Sequence, residues 1–395
     1  MTRTWARARR AGLGLAALSP LVLAGCKKAR QSVFAGKGES SKTINHLQTP
    51  VFYAAAVVGV IVLAAVIYVV VRYRDRPNAP IPEQSHGNPP VEIGLTVVSA
   101  AILIAIGIPT AATVLTLAKP ANSDVVVHVT GQQWWWEYSY DNLATSDGKR
   151  IVTSGELVIP TGKKVQLLIS SRDVIHSFWI PALNGKKDAV PGRVHPLRME
   201  ADTAGEYYGQ CTEFCGLSHA KMRMKVIALN DADWKSWIDN QTKLLVKPSD
   251  PTSAEGLGYA LFSRCVACHQ AEGYVDDKGV QVNAKADEQL ESGAAPNLTH
   301  LMSRSSFAGA NFDLRAAECM SALEAAKPEE FGQLYLQGST DCLNRAQLEA
   351  WLRNPSSLKT MSPEPGKDKL RRGMPNLGLT ETQIDDLIAF LKTLK

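Results

Sequence analysis

Two stretches of the 395-residue chain, 51–71 and 93–117, carry no charged side chain and are apolar almost throughout. Each supplies the ~20 apolar residues a helix needs to cross a bilayer, so the pattern predicts a two-helix transmembrane hairpin. From 125 onward the pattern shortens. VVVHVT, WWWEYSY, ELVIP, KVQLLIS, VIHSFWI, VHPLRMEA, EYYGQ and MKVIAL are β-rich runs separated by Gly, Pro, Asn and Asp, which predicts an all-β sandwich or Greek-key barrel. The segment 231–245 then reads as a helix with Asp231 as its N-cap. VKPSDPTSAEG, rich in proline and small polar residues, reads as a linker. Helices are expected again at 254–263 and 381–394, where Ile384, Leu387, Ile388 and Leu391 form an apolar stripe suited to packing against the first of the two.

Arg3, Arg7, Arg9 and Arg10 precede a shorter apolar run at 11–23, followed by Leu23-Ala24-Gly25-Cys26. This is the order of a bacterial lipoprotein signal, with Cys26 as the lipidated mature N-terminus. An uncleaved anchor with an incidental cysteine is the alternative. The loop between the two spans holds Arg72, Arg74 and Arg76 against Asp75 and Glu83, which favours a cytoplasmic loop. Lys27, Lys28 and Arg30 lie on the other side, and a lipidated start breaks the tie by lying outside. The length suggests two to three domains. A net charge of +5 is too mild to argue for nucleic acid, and neither an internal repeat nor a low-complexity tract is visible.

The densest chemistry lies in GQCTEFCGLSHAKM, 209–222. Cys211, Cys215, His219 and Met222 put soft sulfur and imidazole on one loop, the ligand set that selects copper. Two thiolates can bridge a copper pair if a second imidazole arrives, and DVIHSFWIP offers His176. A Cys211–Cys215 disulfide or a zinc site is the competing reading. Downstream, Cys265-Val-Ala-Cys268-His269 is C-x-x-C-H, the attachment pattern of a c-type haem. Its cysteines would form thioethers and His269 would ligate iron. Met374, in RRGMPNLG, is the expected second axial ligand, since His/Met ligation raises the haem potential; Met361 competes for that place. Cys319 and Cys342 remain, and in an oxidising compartment they are expected to pair, worth ~3 kcal/mol by chain entropy, with two free buried thiols as the alternative.

C-x-E-x-C-G-x-x-H-x-x-M, preceded by D-V-x-H-S, resembles subunit II of the haem–copper cytochrome c oxidases, from about residue 45 to the chain end. The resemblance implies a cupredoxin-like domain with a binuclear copper centre held by His176, Cys211, Cys215, His219 and Met222. Glu213 would add its backbone carbonyl, its carboxylate facing a magnesium site shared with subunit I. GQQWWWEY resembles the family's aromatic run, although Gln132 stands where His is usual. Trp134 takes the place of the tryptophan through which electrons enter, and in the route expected here it passes them on towards haem a. Glu92 takes the place of a carboxylate at the mouth of a proton channel, an interfacial charge being the plainer reading. The G-x-P-x-L setting of Met374 resembles class I cytochromes c, and APNLTHLMSR resembles a haem-bordering segment in which His300 contacts a propionate or is an ordinary surface histidine. Asp188 and Arg193 resemble a loop facing subunit I. His128 and His195 read as structural.

The expectation is therefore a multidomain membrane protein. It has a signal peptide (1–25), an N-terminal segment with the transmembrane hairpin (26–120), an all-β cupredoxin-like Greek-key barrel (121–245), a linker (246–254) and an all-α class I cytochrome c domain (255–395). Such a caa-type subunit sits in the bacterial inner membrane with both redox domains outside. It partners subunits I and III, and takes electrons from a quinol–cytochrome c reductase or a small cytochrome c. The rivals are a free-standing membrane-anchored copper and haem carrier, or a nitrogen-oxide reductase component. A quinol oxidase subunit would lack the copper ligands.

Overall fold

The computed structural model describes residues 29–77, 84, 86–123, 125–144, 148, 150–271, 274–275, 295–362 and 372–395. The signal segment 1–25 and Cys26 lie outside them. The apolar stretches form helices α1 (Glu39–Arg72) and α2 (Pro89–Leu117), whose apolar side chains are exposed along their length. Helix α1 starts well before its apolar stretch. Its first turn docks on the β domain, where the Ser41 hydroxyl donates to the Ala182 carbonyl (2.8 Å) and Lys42 pairs with Asp202 (2.8 Å). At the start of α2, Glu92 accepts the Asn88 backbone N–H through its carboxylate (3.0 Å).

The β domain is a two-sheet sandwich. One sheet has the order β3-β2-β1-β5-β8, built from β1 (Val125–Gln132), β2 (Trp135–Ala144), β3 (Arg150–Ser154), β5 (Val165–Ser171) and β8 (His195–Met199). The other has the order β4-β10-β9, built from β4 (Glu156–Pro160), β9 (Gly205–Gln210) and β10 (Arg223–Leu229). Strands β1 and β5 pair in parallel, as do β4 and β10. The inward-facing Val127, Val129, Tyr138, Leu167 and Ile169 of the first sheet meet Leu157, Ile159 and Val226 of the second in one core. A side hairpin of β6 (His176–Phe178) and β7 (Lys187–Ala189) carries His176 to the edge of this core.

Helix α3 (Asp231–Gln241) closes the domain. Its cap is Asn230 rather than Asp231, because the Asn230 side chain reaches the Asp233 N–H (2.9 Å), and the helix stops short of 245. Val246, at the start of the expected linker, forms a short strand with Leu245.

The C-terminal unit is helical: α4 (Ala254–Phe262), α5 (Ala317–Ala325), α6 (Pro328–Leu336), α7 (Arg345–Arg353), α8 (Pro355–Leu358) and α9 (Glu381–Leu391). Helices α4 and α9 cross closely at Gly258, where a Cβ would sit 2.0 Å from the Asp386 carbonyl. Phe262 and Phe390 pack at the crossing, ring centres 5.1 Å apart. Cys319 and Cys342 are joined by a disulfide, tying α5 to the start of the α7 segment.

This unit is docked on the sandwich through a buried carboxylate. Glu156 of β4 is 1 % exposed and accepts from the Ser305 N–H (3.0 Å), the Ser305 hydroxyl (2.8 Å), the Ser306 hydroxyl (2.5 Å) and Tyr335 (2.9 Å). Burial pushes its pKa up, but the charge of Lys225 and these hydrogen bonds outweigh burial and hold it below 4.5. Because the folded value lies below the unfolded one, the stabilisation is full above about pH 4.5 and is lost as pH falls through the lowered value. Glu156→Ala, which leaves Lys225 and the hydroxyls without that carboxylate, is expected to cost about 3–5 kcal/mol. Thermal unfolding of the intact chain checks this; an unchanged midpoint would show that Glu156 does not hold the two units together.

Candidate metal centre and haem cavity

The loop between β9 and β10 folds back on itself, the Cys211 N–H donating to the Met222 carbonyl (2.9 Å). Residues His219–Lys221 form a short 3-10 turn within it. This closure gathers the sulfurs. Cys211 Sγ and Cys215 Sγ are 3.9 Å apart, and Cys215 Sγ lies 3.5 Å from His219 Nδ1 and 3.7 Å from Met222 Sδ. The Glu213 carbonyl is 3.3 Å from Cys211 Sγ, while the Glu213 side chain is exposed. The donor atoms of His176, Cys211 and Cys215 lie within 4.8 Å of one another, and all three residues are buried. All six residues expected at the copper centre are thus brought to one spot.

His176 enters this cluster past Gly131. A Cβ at residue 131 would sit 2.9 Å from the imidazole Cδ2, so the glycine leaves room for the ring. His176 Nε2 lies 2.8 Å from Asp173 Oδ1, and its Nδ1 has no hydrogen-bond partner although the ring is buried. A buried nitrogen left without a partner, with its opposite ring nitrogen fixed by a carboxylate, is the arrangement of a metal-ligating histidine. Burial lowers the His176 pKa, but Asp173 and Cys211 raise it further than that; burial raises Asp173, but His176 and the N–H groups of Gln133 and Val174 hold it below the usual carboxylate range. The hydrogen bond between the thiols, with His176 adding to it, brings Cys211 down to about 4 against burial, and drives Cys215 up. A cation between the sulfurs would favour ionisation of both.

The other candidate chemistry lines a single cavity. Cys265, Cys268 and His269 follow α4, with the Cys268 N–H and His269 N–H both donating to the Cys265 carbonyl (3.0 and 2.8 Å). His269 Nδ1 lies 2.8 Å from the Pro296 carbonyl, so it is the protonated nitrogen and Nε2 is free to ligate. Burial lowers the His269 pKa, which favours the neutral ring that a ligand needs. Met374 and Met361 both border the cavity. Met374 packs on the core of the C-terminal unit, whereas Met361 packs on the cluster in which the sandwich core is joined by Leu323, Phe331 and Tyr335 of that unit. The donor set and the apolar wall suit a covalently held haem.

The far wall comes from the sandwich: Gln133, Trp134, Trp135 and Ser154. Trp134 is buried and donates its indole N–H to the Cys215 carbonyl (2.9 Å), as does the Gln133 side-chain amide (2.5 Å). Two cations that sequence reading missed also line this cavity. Arg304 donates to Ser154 Oγ (3.2 Å) and to the Asn297 carbonyl (2.7 Å). Lys359, 3 % exposed, donates to the Trp134 carbonyl (2.6 Å), and burial with the neighbouring Lys221 pushes its pKa down to about 7, against Cys215. Asp173 was also missed, although it stands at the head of the D-V-x-H-S run.

Other residues resolve more plainly. His300 does not line the cavity; its Nδ1 contacts the Lys395 carbonyl, and Arg304 from the same segment takes the position facing the cavity. His128 pairs with Asp141 (2.8 Å), and His195 Nδ1 meets the Asp188 carbonyl (2.7 Å), so both serve the strands that carry them. The side chains of Asp188 and Arg193 are exposed, as is that of Glu92.

Residues 125–229 match the family described as cytochrome c oxidase subunit II, periplasmic domain, and residues 35–112 match its transmembrane domain. Cytochrome c oxidase subunit 2 of Bacillus sp. (strain PS3) is 31% identical over 342 residues, covering 82% of this chain and 80% of that one. The subunit 2 of Bacillus subtilis (strain 168) is 29% identical over 398 residues, 96% of each chain. Among solved structures, the periplasmic domain of subunit II of cytochrome oxidase from Bradyrhizobium japonicum is 30% identical and covers 31% of this chain and 96% of that one, with a TM-score of 0.29. The Cys211–Met222 loop, the sandwich that holds it and the paired apolar helices all lie within the sequence matches to these subunits, and the chain belongs to the cytochrome c oxidase subunit II family.

Proposed function

We propose that this membrane-anchored oxidase subunit carries its own electron donor: that 255–395 is a class I cytochrome c domain, joined through 246–254 to a copper domain at 121–245. The observation that carries this reading is the shared cavity, with Cys265, Cys268, His269 and Met374 on one side and Trp134 on the other. When bound, the haem and the copper pair supply one-electron carriers, through which electrons reach haem a of subunit I in support of oxygen reduction to water and proton translocation.

The protein's own residues hold and shield these groups. His176, Cys211, Cys215, His219, Met222 and the Glu213 carbonyl would hold copper, with Asp173 orienting His176. Cys265 and Cys268 would attach the haem, His269 and Met374 would ligate its iron, and Arg304 would offset the charge of a propionate. Trp134, between the haem cavity and the Cys215 carbonyl, fits a path into the copper site better than one out towards haem a. Phe214 and Leu217 beside the copper loop are exposed, an apolar face suited to subunit I. At that face the Glu213 carboxylate would meet a shared magnesium ion, and Glu92 would mark the mouth of a proton path. Subunit III, a quinol–cytochrome c reductase or small cytochrome c donor, and a lipid on Cys26 complete the proposal.

The test is made on the purified intact complex. Copper and covalent haem are counted per chain, near-infrared and EPR spectra are recorded, and oxygen uptake is measured with a small reductant and no soluble cytochrome. Two coppers with a mixed-valence signature, one thioether-linked haem and undiminished uptake are expected. Intact mass of the same preparation should show loss of 1–25 and an acyl–glyceryl addition at Cys26. A single blue copper, or a strict need for added cytochrome c, would refute the electron route.

A further inference from the structure

Three successive residues at the end of α8 and just beyond it are stitched to the sandwich, two of them to the loop between β9 and β10 and one to the turn between β1 and β2. The Leu358 carbonyl accepts from Lys221 Nζ (2.5 Å), Lys359 Nζ reaches the Trp134 carbonyl, and the Thr360 carbonyl accepts from the Ser218 hydroxyl. Ser218 and Lys221 belong to the turn that carries His219. Lys359 also donates to the Ala308 carbonyl (3.1 Å). That carbonyl is presented by a loop in which Ala308, Gly309 and Ala310 all have positive φ (54°, 73° and 56°), a conformation residues with a Cβ adopt at a cost. The loop comes so close that a Cβ on Gly309 would lie 3.1 Å from the Trp134 carbonyl oxygen and 3.2 Å from Lys359 Nζ.

Trp134 is consequently held at both ends. Its carbonyl is gripped by the C-terminal unit, and its indole N–H is bonded to the carbonyl of Cys215. The buried Lys359 amino group shares its donors between one carbonyl of its own unit, Ala308, and one of the sandwich, Trp134, so it bridges the two units, and the second contact exists only when they are docked.

We propose that residues 358–360 are a docking strap that fixes the haem domain on the copper loop, with Lys359 as the positioning residue that sets Trp134 between the haem cavity and Cys215. The haem domain is then a docked donor rather than a module swinging on its linker. The strap also covers Trp134, so a separate cytochrome cannot reach that residue and must deliver electrons to the haem domain. This rests on the haem reading above only where electron transfer is concerned; the docking itself is a property of the chain.

The experiment uses the intact complex carrying Lys359→Met, a side chain of similar length without the charge. Hydrogen exchange of the backbone at 133–136, 218–222 and 308–311 reads the docking, and flash reduction of the haem followed at the copper band across a salt series reads the positioning. A lost charge-assisted hydrogen bond should lower protection at these segments about tenfold or more. Haem-to-copper transfer, expected to be nearly independent of salt in the wild type, should slow in the variant and become salt-dependent as docking turns into an encounter between separated surfaces. Unchanged protection and an unchanged rate in Lys359→Met would overturn the proposal. If that variant does not assemble, Ser218→Ala combined with Lys221→Ala removes the flanking stitches while leaving Lys359 in place. Lower protection at 355–362 then supports the strap, and wild-type protection overturns it. Absence of a haem or copper signature in the wild-type complex would instead count against the electron route, and the exchange measurement would still decide the docking.

Discussion

Cys215→Ser is expected to abolish the mixed-valence near-infrared band and its EPR signal, and to lower electron delivery by about 100-fold or more, while the haem c band survives. Cys215 is the hub of the cluster: its Sγ lies 3.9 Å from Cys211 Sγ, 3.5 Å from His219 Nδ1 and 3.7 Å from Met222 Sδ. A serine oxygen is harder and does not share an electron between two coppers as a bridging thiolate does. Even residues that only orient a metal ligand are worth ~10–100-fold in affinity or activity, so loss of a bridging sulfur sets a larger effect. Asp173→Ala supplies the smaller comparison, since it frees His176 Nε2 without removing a ligand. The cavity proposed for the haem shares a wall with this site but would draw its ligands from Cys265, Cys268 and His269 after α4 and from Met374, which is why the haem spectrum should persist. A Cys215→Ser complex that keeps the mixed-valence signal would show that the two thiols do not bridge copper.

The clustering of Cys211, Cys215, His219 and Met222 was legible because these residues are packed into one short segment, whose spacing suits a soft metal. Even Asp173 stood within the quoted run, its role hidden only because a carboxylate near a histidine has many uses. The hairpin was legible by hydropathy, yet α1 begins at Glu39 because its polar first turn is held by tertiary contacts at Ala182 and Asp202, which no local pattern encodes. Asn230 displaced Asp231 as a cap for a similar reason: both residue types can cap, and only the geometry of Asp233 chooses. Glu156, Arg304 and Lys359 were illegible altogether. Each reads as an ordinary surface charge, and each is buried by a partner far along the chain, Ser305 at a separation of 149 residues for Glu156 and Trp134 at 225 for Lys359. Buried charge is decided by which surfaces meet, and a docking of two units leaves little trace in either unit's own periodicity.

Replacing Met374 should separate the two candidates for the haem's second axial ligand. Both methionines border the cavity, but they pack on different clusters: Met374 on the core of the C-terminal unit, Met361 on the one where the sandwich meets Leu323, Phe331 and Tyr335 of that unit. A ligand anchored in the domain that also supplies Cys265, Cys268 and His269 keeps its distance to the iron however the two units move, whereas Met361 would lose it whenever docking loosens. Met361 also follows directly on the strap, packed against residue 373, where a Cβ would come within 2.3 Å of the Met361 Cβ. Met374→Ala is therefore expected to remove the weak sulfur-to-iron charge-transfer band and to lower the haem potential substantially, within the ~0.8 V over which axial ligands set haem potentials. With the donor's potential lowered, the haem should remain reducible by strong reductants yet fall out of step with weak ones, while the copper spectrum stays as in the wild type. Met361→Ala should keep the band and the potential. Optical redox titration of the two variants side by side makes the comparison, and loss of the band in Met361→Ala with its retention in Met374→Ala would move the ligand to the strap side of the cavity.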